Sequence, residues 1–375
     1  MFKNYHKNEQ FNFQMNRFLE VYQNENDVQE EVKQASLKLK DFESWYKVWF
    51  TLGKKRENKN EYAIASCYYQ LAEFFLSEED ERKLPVYNLF KDTFYKSIDT
   101  SQMTFIQIPY ENTFMPGVII RNNKQTKKTL IIHGGFDSYL EELIRIVNLF
   151  EPLDEYQFVL FEGPGQGEMI RKKVPMISNW EKPVTAVLDY CNLIKADLMG
   201  MSLGGYLCMR AAAFEPRIEK VVAFDIMYSM NDAFKNKLDP KQYQFIESAL
   251  KNGNEHQIDE LLSKEAELNI DLNFKLSKGY AISNTHKPSE LLKYISTFSL
   301  EGIEDKITQE VLLMAGTEDF YVPTNRLPFL INKLVNVKKL EAILYTERSG
   351  GAEHCQVGNK KLAFTDISAF LLKDR

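Results

Sequence analysis

Cysteine is scarce in this 375-residue sequence, and its few thiols show no metal-binding arrangement. The four cysteines, Cys67, Cys191, Cys208 and Cys355, include no Cys-x-x-Cys pair, and their spacing matches no zinc site. Free thiols are typical of a reducing compartment. We therefore expect a cytoplasmic protein.

The sequence also lacks the segments that membranes and nucleic acids require. No apolar run approaches the length of about 20 residues that spans a bilayer. Residues 1–13 are largely polar and lack the apolar stretch of a signal peptide. With 47 Lys and Arg against 53 Asp and Glu, the formal net charge is −6, and no long basic block could neutralise phosphates. We therefore expect neither a membrane nor a nucleic acid as a partner.

Glycine and proline are rare in the first 100 residues, where Pro85 is the only proline. Between residues 61 and 76, apolar side chains recur at three- and four-residue intervals, which predicts an amphipathic helix. Trp45 and Trp49 lie four positions apart, on one face of another predicted helix. We expect a helical region over residues 1–100, in which these aromatic side chains form a helix–helix core or wall a substrate pocket.

From residue 101 onward, short apolar runs alternate with helical stretches. Residues 103–120 predict a β-hairpin with its turn at Pro116–Gly117. Continuous apolar strands that alternate with helices indicate an α/β fold, with a mostly parallel sheet covered by helices on both faces. The predicted strands are Thr129–His133, Phe158–Glu162, Ala196–Met201, Lys220–Asp225, Glu310–Ala315 and Leu340–Thr346. The predicted helices are Tyr139–Phe150, Trp180–Ile194, Leu203–Phe214, Asn325–Val335 and Lys360–Leu372.

One connection is too long for a simple crossover. Roughly 80 residues separate the strand that ends at Asp225 from the strand that begins at Glu310, far more than a normal loop. Helices are predicted within it at Gln242–Lys251 and His256–Leu268. We therefore expect a helical cap at about residues 228–307, inserted into a domain that comprises residues 101–375.

The strongest chemical signal is the segment Gly200-Met201-Ser202-Leu203-Gly204. It lies between an apolar strand and a helical run, which is the strand–turn–helix context of a nucleophile elbow. In so sharp a turn, a side chain at Gly200 or Gly204 would collide with neighbouring backbone. The turn would present the Ser202 hydroxyl at the N-terminus of the next helix, where N–H groups can stabilise an oxyanion.

A serine nucleophile needs a base, and the sequence has only five histidines. His6 lies in the polar N-terminal segment, and His256 and His286 lie in the predicted cap. His133 precedes two glycines at the end of an early strand. His354 follows the last strand in a loop of small residues, from which it could reach the serine, and it is the candidate base.

The histidine in turn needs a carboxylate that orients its ring. Asp319 follows the penultimate strand and is the candidate, with the adjacent Glu318 as its rival. Glu162 and Asp225 are candidates for carboxylates that support the triad from outside it, with a structural role as the alternative for Glu162. Asp225 and Asp232 are also weaker candidates for substrate contact.

An oxyanion hole requires two backbone N–H groups that point at the developing charge. One would come from Leu203, directly after the nucleophile. The other would come from Gly135 or Phe136, in the loop that follows the strand Thr129–His133, and the sequence leaves this choice open.

Residues 161–168, Phe-Glu-Gly-Pro-Gly-Gln-Gly-Glu, are rich in glycine but match neither common phosphate motif. The Lys-Ser/Thr pair of a P-loop is absent, and so is the Gly-x-Gly-x-x-Gly spacing of a dinucleotide site. We expect a turn at the rim of the site.

At these residues the sequence resembles the α/β-hydrolase superfamily. The motifs are His133-Gly-Gly-Phe136, Phe161-Glu-Gly-Pro-Gly-Gln-Gly167, Gly200-Met-Ser-Leu-Gly204, Gly316-Thr-Glu-Asp319 with Val322-Pro323, and Gly351-Ala-Glu-His354. Within the superfamily, Gly134-Gly-Phe-Asp-Ser138 followed by Glu141-Glu142, and Glu162-Gly-Pro-Gly-Gln-Gly167, resemble a narrower group. This group includes the FrsA-like esterases, the dihydroxypseudooxynicotine hydrolase and fungal polyketide-shortening hydrolases. Some relatives in this group are labelled acylaminoacyl peptidases, and members carry a helical region ahead of the hydrolase core.

The resemblance implies a triad of Ser202, Asp319 and His354, in the chain order of α/β-hydrolases, with no metal and no organic cofactor. We predict a serine hydrolase that cleaves an ester or amide of a small apolar or aromatic molecule, or of a short peptide-like one, through an acyl-enzyme.

The alternatives are carbon–carbon bond hydrolysis of a β-diketone-like substrate, acylaminoacyl peptidase-like activity, and a non-catalytic ligand-binding protein on a hydrolase scaffold. A homodimer is left open.

Overall fold

The computed structural model describes residues 1–121, 126–235 and 238–373. The chain divides into two compact units, each built from two segments. The helical unit comprises Met1–Ser101 and Glu265–Lys278, and the sheet unit comprises Gln102–Lys264 and Gly279–Arg375. The expected division at residue 100 thus differs from the observed one, because residues 265–278 of the expected cap belong to the helical unit.

The helical unit is built around one helix that is buried on all sides. Its helices in Met1–Ser101 are α1 (Glu9–Leu19), α2 (Asn26–Ser36), α3 (Phe42–Glu57), α4 (Tyr62–Phe74) and α5 (Lys83–Lys96), with a 3-10 turn at Glu20–Tyr22. Every residue of α4 from Ile64 to Phe74 is buried, including Glu73, whose carboxylate lies 2.5 Å from Nζ of Lys83. The predicted helix is confirmed, but its amphipathic character is not, because α4 has no solvent-facing side beyond its first residues.

Trp45 and Trp49 of α3 form part of the core of this unit. Both are fully buried, and their rings pack edge to face with centroids 5.7 Å apart. The indole N–H of Trp45 donates to Leu71 O of α4. The two tryptophans therefore fill the contact between α3 and α4, as the core interpretation of their spacing predicted.

The sheet unit contains an eight-stranded sheet in the order β1-β2-β4-β3-β5-β6-β7-β8. The strands are β1 (Met103–Tyr110), β2 (Thr113–Arg121), β3 (Lys128–His133), β4 (Tyr156–Phe161), β5 (Ala196–Met201), β6 (Ile218–Phe224), β7 (Glu310–Gly316) and β8 (Lys339–Tyr345). The strand β2 is antiparallel to both of its neighbours, and the pairs from β4 to β8 are parallel. The predicted α/β class and mostly parallel sheet are confirmed.

The remaining helices follow or connect these strands. They are α6 (Leu140–Val147), α7 (Gly167–Arg171), α8 (Glu181–Tyr190), α9 (Gly204–Ala212), α10 (Asn231–Lys235), α11 (Pro240–Lys251), α12 (Glu255–Leu268), α13 (Ile270–Ser283), α14 (Pro288–Ile295), α15 (Arg326–Lys333) and α16 (Lys360–Leu372), with 3-10 turns at Glu304–Lys306 and His354–Gln356. Within the described ranges, no helix has the length and apolar character needed to cross a bilayer. The cytoplasmic location remains a prediction.

The predicted hairpin turn is wrong in position. The turn lies at Glu111 and Asn112, with Glu111 at a φ of 49°, and Pro116 and Gly117 lie inside β2. A Cβ at position 117 would lie 2.8 Å from Leu160 O of the neighbouring β4. The glycine therefore reflects a close approach of two strands.

A buried lysine ties the C-terminal helix α16 to the sheet. Nζ of Lys220, on β6, donates to Phe370 O at 3.1 Å, Leu371 O at 3.2 Å and Lys373 O at 2.9 Å. These carbonyls lie at the end of α16, where the intrahelical donors run out. Lys220 is only 2% exposed, so water is not available to replace its three bonds.

We expect Lys220→Met to lower the free energy of unfolding by about 2–4 kcal/mol, because the carbonyls at the end of α16 lose their donor inside the protein. Urea denaturation measures the loss. The control is Lys195→Met, which removes an exposed lysine paired with Glu219 at 2.7 Å and should cost less than about 1 kcal/mol. Equal losses in the two variants would contradict the role given to Lys220.

Candidate active site

Four predicted site residues gather at one edge of the sheet. Ser202 directly follows β5 and Asp225 directly follows β6, while Asp319 and His354 lie in the segments after β7 and β8. These four strands are parallel neighbours, so their carboxyl ends meet at the same edge. Residues far apart in sequence are thereby brought into contact.

Ser202, His354 and Asp319 form a continuous chain of hydrogen bonds. The Ser202 hydroxyl lies 2.8 Å from Nε2 of His354, and Nδ1 of His354 lies 2.7 Å from Oδ2 of Asp319. His354 and Asp319 are buried, whereas Ser202 is partly exposed. This is the arrangement in which a base can take a hydroxyl proton while a carboxylate orients the base.

The serine lies on a turn that excludes side chains around it. Ser202 has a φ of 60°, in the left-handed region, and its N–H donates to Phe224 O at 2.7 Å. A Cβ at Gly200 would lie 1.9 Å from Gly204 O, and one at Gly205 would lie 1.7 Å from Asp225 O. The need for glycine at position 200 is predictable from the turn itself. The need for glycine at position 205 is not, because the atom that a side chain would meet belongs to Asp225, directly after β6.

The loop after β3 packs against this turn. A Cβ at Gly135 would lie 2.7 Å from both Leu203 N and Met201 O. The backbone of Gly135 therefore runs beside the N–H of Leu203, which precedes α9. Gly135 and Phe136 both remain candidates for the second oxyanion donor.

Two backbone N–H groups and the neighbouring His354 stabilise the ionised form of Asp319. Its Oδ1 accepts the N–H groups of Tyr321 at 2.7 Å and Val322 at 2.9 Å, while Oδ2 faces His354. Burial opposes ionisation of Asp319, but the attraction of His354 and these hydrogen bonds outweigh it, and its pKa is lowered below its usual value. The rival Glu318 is exposed.

Asp225 is a second, fully buried carboxyl group beside the imidazole. Its Oδ2 lies 3.6 Å from Nδ1 of His354, and its Oδ1 accepts the N–H of Ile226 at 2.6 Å. Burial and the charge on neighbouring Asp319 raise the pKa of Asp225 well above its usual value. Asp225 is hydrogen-bonded to Asp319, and of the two carboxyl groups it is the one that keeps its proton to higher pH.

The two histidines near the serine turn have opposite electrostatic environments. Burial opposes a positive charge on His354, but the attraction of Asp319 outweighs it, and the pKa of His354 is raised well above its usual value. Among the described residues no carboxylate plays this part for His133, and burial lowers its pKa to about 4. Its Nδ1 lies 2.9 Å from Gly134 O. His133 is therefore neutral near pH 7 and supports the loop after β3.

Glu162 lies away from the triad and has a structural role. One carboxylate oxygen accepts the N–H of Leu140 at the start of α6, and the other accepts the N–H of Glu168 in α7. Burial and the nearby Glu141 raise the pKa of Glu162 to about 7. No hydrogen bond or ion pair joins Glu162 to Ser202, Asp319 or His354 within the described ranges. Its carboxylate fixes the start of two helices.

Asp232 is engaged by an arginine. Nε and Nη2 of Arg326 donate to its two carboxylate oxygens at 2.8 and 2.7 Å, and Asp232 is only 5% exposed. The Arg326 guanidinium also lies 4.7 Å from the ring centre of Tyr228. This pair connects α10 to α15, which is a structural function for Asp232.

Asp225, Asp319 and His354 also form a group whose possible metal-binding atoms lie within 4.8 Å of one another. Nδ1 of His354 and Oδ2 of Asp319 are already hydrogen-bonded to each other. An ion would have to displace the proton between His354 and Asp319, so this donor set fits proton transfer better than metal binding.

Gln166 contacts the loop after β3, and no role for it was predicted from the sequence. Its Nε2 donates to Gly134 O at 2.8 Å and to Gly135 O at 3.0 Å, and its Oε1 accepts the N–H of Gly163 at 2.9 Å. The only sequence signal was its place in the glycine-rich segment after β4. Its partners depend on the pairing of β3 with β4.

Comparisons with known proteins agree with this fold. The model of the alpha/beta hydrolase fold family matches residues 130–354, more than half of the chain. The chain therefore belongs to this family and is a hydrolase.

Relatives and a solved structure extend the likeness beyond the matched region. The chain is 25% identical over 364 residues to hydrolyase poxO of Penicillium oxalicum, covering 84% of this chain and 85% of the relative. It is 31% identical over 263 residues to alpha/beta hydrolase psoB of Aspergillus fumigatus, covering 59% of each. The crystal structure of 2,6-dihydroxy-pseudo-oxynicotine hydrolase matches with a TM-score of 0.69 at 17% identity, covering 95% of this chain and 94% of that chain. At that identity the likeness shows a shared fold.

We expect Asp319→Asn and Asp225→Asn to differ sharply in the reactivity of Ser202. An amide at position 319 removes the charge that supports His354 and should slow the reaction by about 10³- to 10⁴-fold. An amide at position 225 can still donate a hydrogen bond, as the protonated acid does, and should cost less than about tenfold.

The rate of reaction with a fluorophosphonate probe measures both variants, and thermal melting checks that both fold. Equal losses, or a larger loss in Asp225→Asn, would show that Asp225 carries the charge.

Proposed function

We propose that this hydrolase is a serine hydrolase that cleaves an ester or amide of a small apolar or aromatic molecule. In this proposal Ser202 is the nucleophile, His354 is the general base and acid, and Asp319 orients the imidazole. The observation that carries the proposal is the pair of hydrogen bonds, 2.8 Å from Ser202 to His354 and 2.7 Å from His354 to Asp319.

The reaction would proceed in two steps through an acyl-enzyme. Nε2 of His354 accepts the Ser202 proton as Oγ attacks the substrate carbonyl carbon, and then transfers this proton to the leaving group. Water, deprotonated by His354, then attacks the acyl-enzyme. The bond to Oγ breaks, His354 returns the proton to Ser202, and the acid is released. The N–H of Leu203 and that of Gly135 or Phe136 would stabilise the oxyanion in both steps.

The ionisation of the two aspartates supports this route. Because the pKa of Asp319 is lowered and that of Asp225 is raised, Asp319 loses its proton first and carries the negative charge beside the imidazole. That charge offsets the positive charge that His354 gains when it takes the Ser202 proton. The hydrogen bonds on Oδ1 of Asp319 hold the carboxylate in place during this change.

Aromatic side chains near His354 support an apolar or aromatic substrate. The ring of Tyr321 lies 4.9 Å from the imidazole centre, and Phe320 packs on Tyr321 at 4.1 Å. Both are partly exposed, so part of their surface is open at the edge of the sheet that carries Ser202. Burial of an apolar group against such rings is favourable in water.

Carbon–carbon bond hydrolysis is a second candidate, and the extra carboxyl group of Asp225 beside the imidazole favours it. In both reactions the leaving group must receive a proton, since a β-diketone leaves a carbanion and an ester leaves an alkoxide. Asp225 lies on the Nδ1 side of His354, so it would act through the histidine. A protein with the same fold is named 2,6-dihydroxy-pseudo-oxynicotine hydrolase. The resemblance of the sequence motifs to the narrower group also implies carbon–carbon bond hydrolysis beside a ketone as one of that group's activities.

We expect a fluorophosphonate probe to label the wild-type chain once and to leave Ser202→Ala unlabelled, as read by intact mass. A labelled Ser202→Ala variant, or a wild type that neither reacts with the probe nor cleaves a short p-nitrophenyl ester, would contradict the proposal. A panel of esters, anilides and β-diketones then separates the two candidates: esters yield an alcohol and an acid, whereas β-diketones yield a ketone and an acid.

The pH dependence of labelling follows from the raised pKa of His354. The base must be neutral to accept a proton, so the labelling rate should rise with pH through an ionisation above the usual histidine value of about 6.5. Asp319→Asn removes the attraction that raises this pKa and should shift the ionisation to lower pH. The profile of labelling rate against pH measures both, and an unchanged midpoint in Asp319→Asn would contradict the assignment.

A further inference from the structure

Gln166 joins two loops through one buried side chain. It is 2% exposed and lies between β4 and α7, in the glycine-rich segment. Both of its Nε2 hydrogens are used, one on Gly134 O and one on Gly135 O. A single amide therefore binds two consecutive carbonyls of the loop after β3.

These two carbonyls determine where the candidate oxyanion donors point. In a trans peptide, C=O and N–H lie on opposite sides of the bond. The Gly134 carbonyl shares its peptide unit with the N–H of Gly135, and the Gly135 carbonyl shares its unit with the N–H of Phe136. Because Gln166 holds both carbonyls on its own side, both N–H groups point away from it.

The position of Gly135 places these groups beside the serine turn. A Cβ at Gly135 would lie 2.7 Å from Leu203 N, so the backbone of residue 135 is in contact with the peptide that supplies the first donor. Rotation of either peptide unit would turn an N–H away. The loop contains two glycines in succession, whose backbone rotates readily unless side chains hold it. His133 also contacts the Gly134 carbonyl through Nδ1, so Gln166 adds its hold to that one and extends it to the Gly135 carbonyl.

We infer that Gln166 is a positioning residue for the oxyanion hole. It acts through the Gly134 and Gly135 carbonyls and holds the second N–H donor in its catalytic orientation. This inference rests on the proposed serine-hydrolase function and deepens it.

If Gln166 only stabilised its own turn, it would not need all of the hydrogen bonds that it makes. Its Oε1 accepts the N–H of Gly163, and its own N–H donates to Gly163 O at 3.0 Å, which together close the turn. A glutamate could make both of these bonds. Only an amide supplies two donors as well, and those donors bind a different loop.

The test compares Gln166→Leu, Gln166→Glu and the wild type with a short p-nitrophenyl ester. Removal of one oxyanion donor costs about 10²- to 10³-fold in kcat, and a loosened donor should cost about 10- to 100-fold. KM should stay within about threefold, because the carbonyl is not yet an oxyanion when the substrate binds. The inhibition constant of a trifluoromethyl ketone, which forms a tetrahedral adduct, should rise by the same factor as kcat falls.

Gln309 offers a matched control. It is also a buried glutamine, whose Nε2 donates to Ala212 O at 2.8 Å and whose Oε1 accepts the N–H of Thr308 at 2.9 Å. Gln309→Leu should lower the melting temperature about as much as Gln166→Leu but leave kcat within about threefold of the wild type.

A kcat for Gln166→Leu within threefold of the wild type would overturn the inference, and so would an equal loss in Gln309→Leu. If Gln166→Leu does not fold, the same kcat criterion is applied to Gln166→Glu, which keeps the hydrogen bond from Gly163 N–H but loses the two amide donors. Fluorophosphonate labelling of the wild type distinguishes failure of the proposed function from failure of this inference. An unlabelled wild type overturns the serine-hydrolase proposal. A labelled wild type whose Gln166 variants keep the wild-type kcat overturns only the positioning role of Gln166.

Discussion

The buried hydrogen bond between His354 and Asp319 determines the electrostatics of the whole site. A charged pair away from water is stable only if its remaining atoms also find partners. The N–H groups of Tyr321 and Val322 supply these partners for Asp319. A second charged carboxylate so close by is unfavourable, and the pKa of Asp225 is accordingly raised. Two carboxyl groups with oppositely shifted pKa values thus lie behind the same imidazole.

Backbone geometry provides the second constraint on the site. The turn at Ser202, the loop at Gly134–Gly135 and the glycine-rich segment after β4 approach one another closely, with no space for side chains at Gly200 or Gly205. Glycine permits these approaches but does not fix peptide orientation. Fixed orientation comes from side chains that bind backbone: Gln166 on the loop, and Glu162 on two helix starts. The glycine-rich motifs therefore contain both glycines that allow close backbone approach and side chains that fix the backbone orientation.

The three residues of the candidate triad could be predicted because each is marked by a local pattern in the sequence. Ser202 could be recognised because a strand, a glycine-flanked turn and a helix follow each other directly, and His354 and Asp319 because each follows a late strand. Asp225 could be named as a candidate, but its nearness to Asp319 depends on the pairing of β6 with β7. The contacts of Gln166 depend on β3 lying beside β4, and its place in a glycine-rich segment did not predict them. The Pro116–Gly117 dipeptide was misleading, because tertiary packing against β4 outweighed a turn signal.

The central claim is that turnover passes through an acyl group on Ser202. The most direct measurement is rapid-quench mass spectrometry during hydrolysis of a p-nitrophenyl ester, with the adduct mapped by peptide analysis. The account predicts an acyl mass on the peptide that contains Ser202, formed together with a burst of p-nitrophenol no larger than the enzyme concentration. Product formation without an acyl adduct at any quench time, or an adduct on another residue, would contradict it.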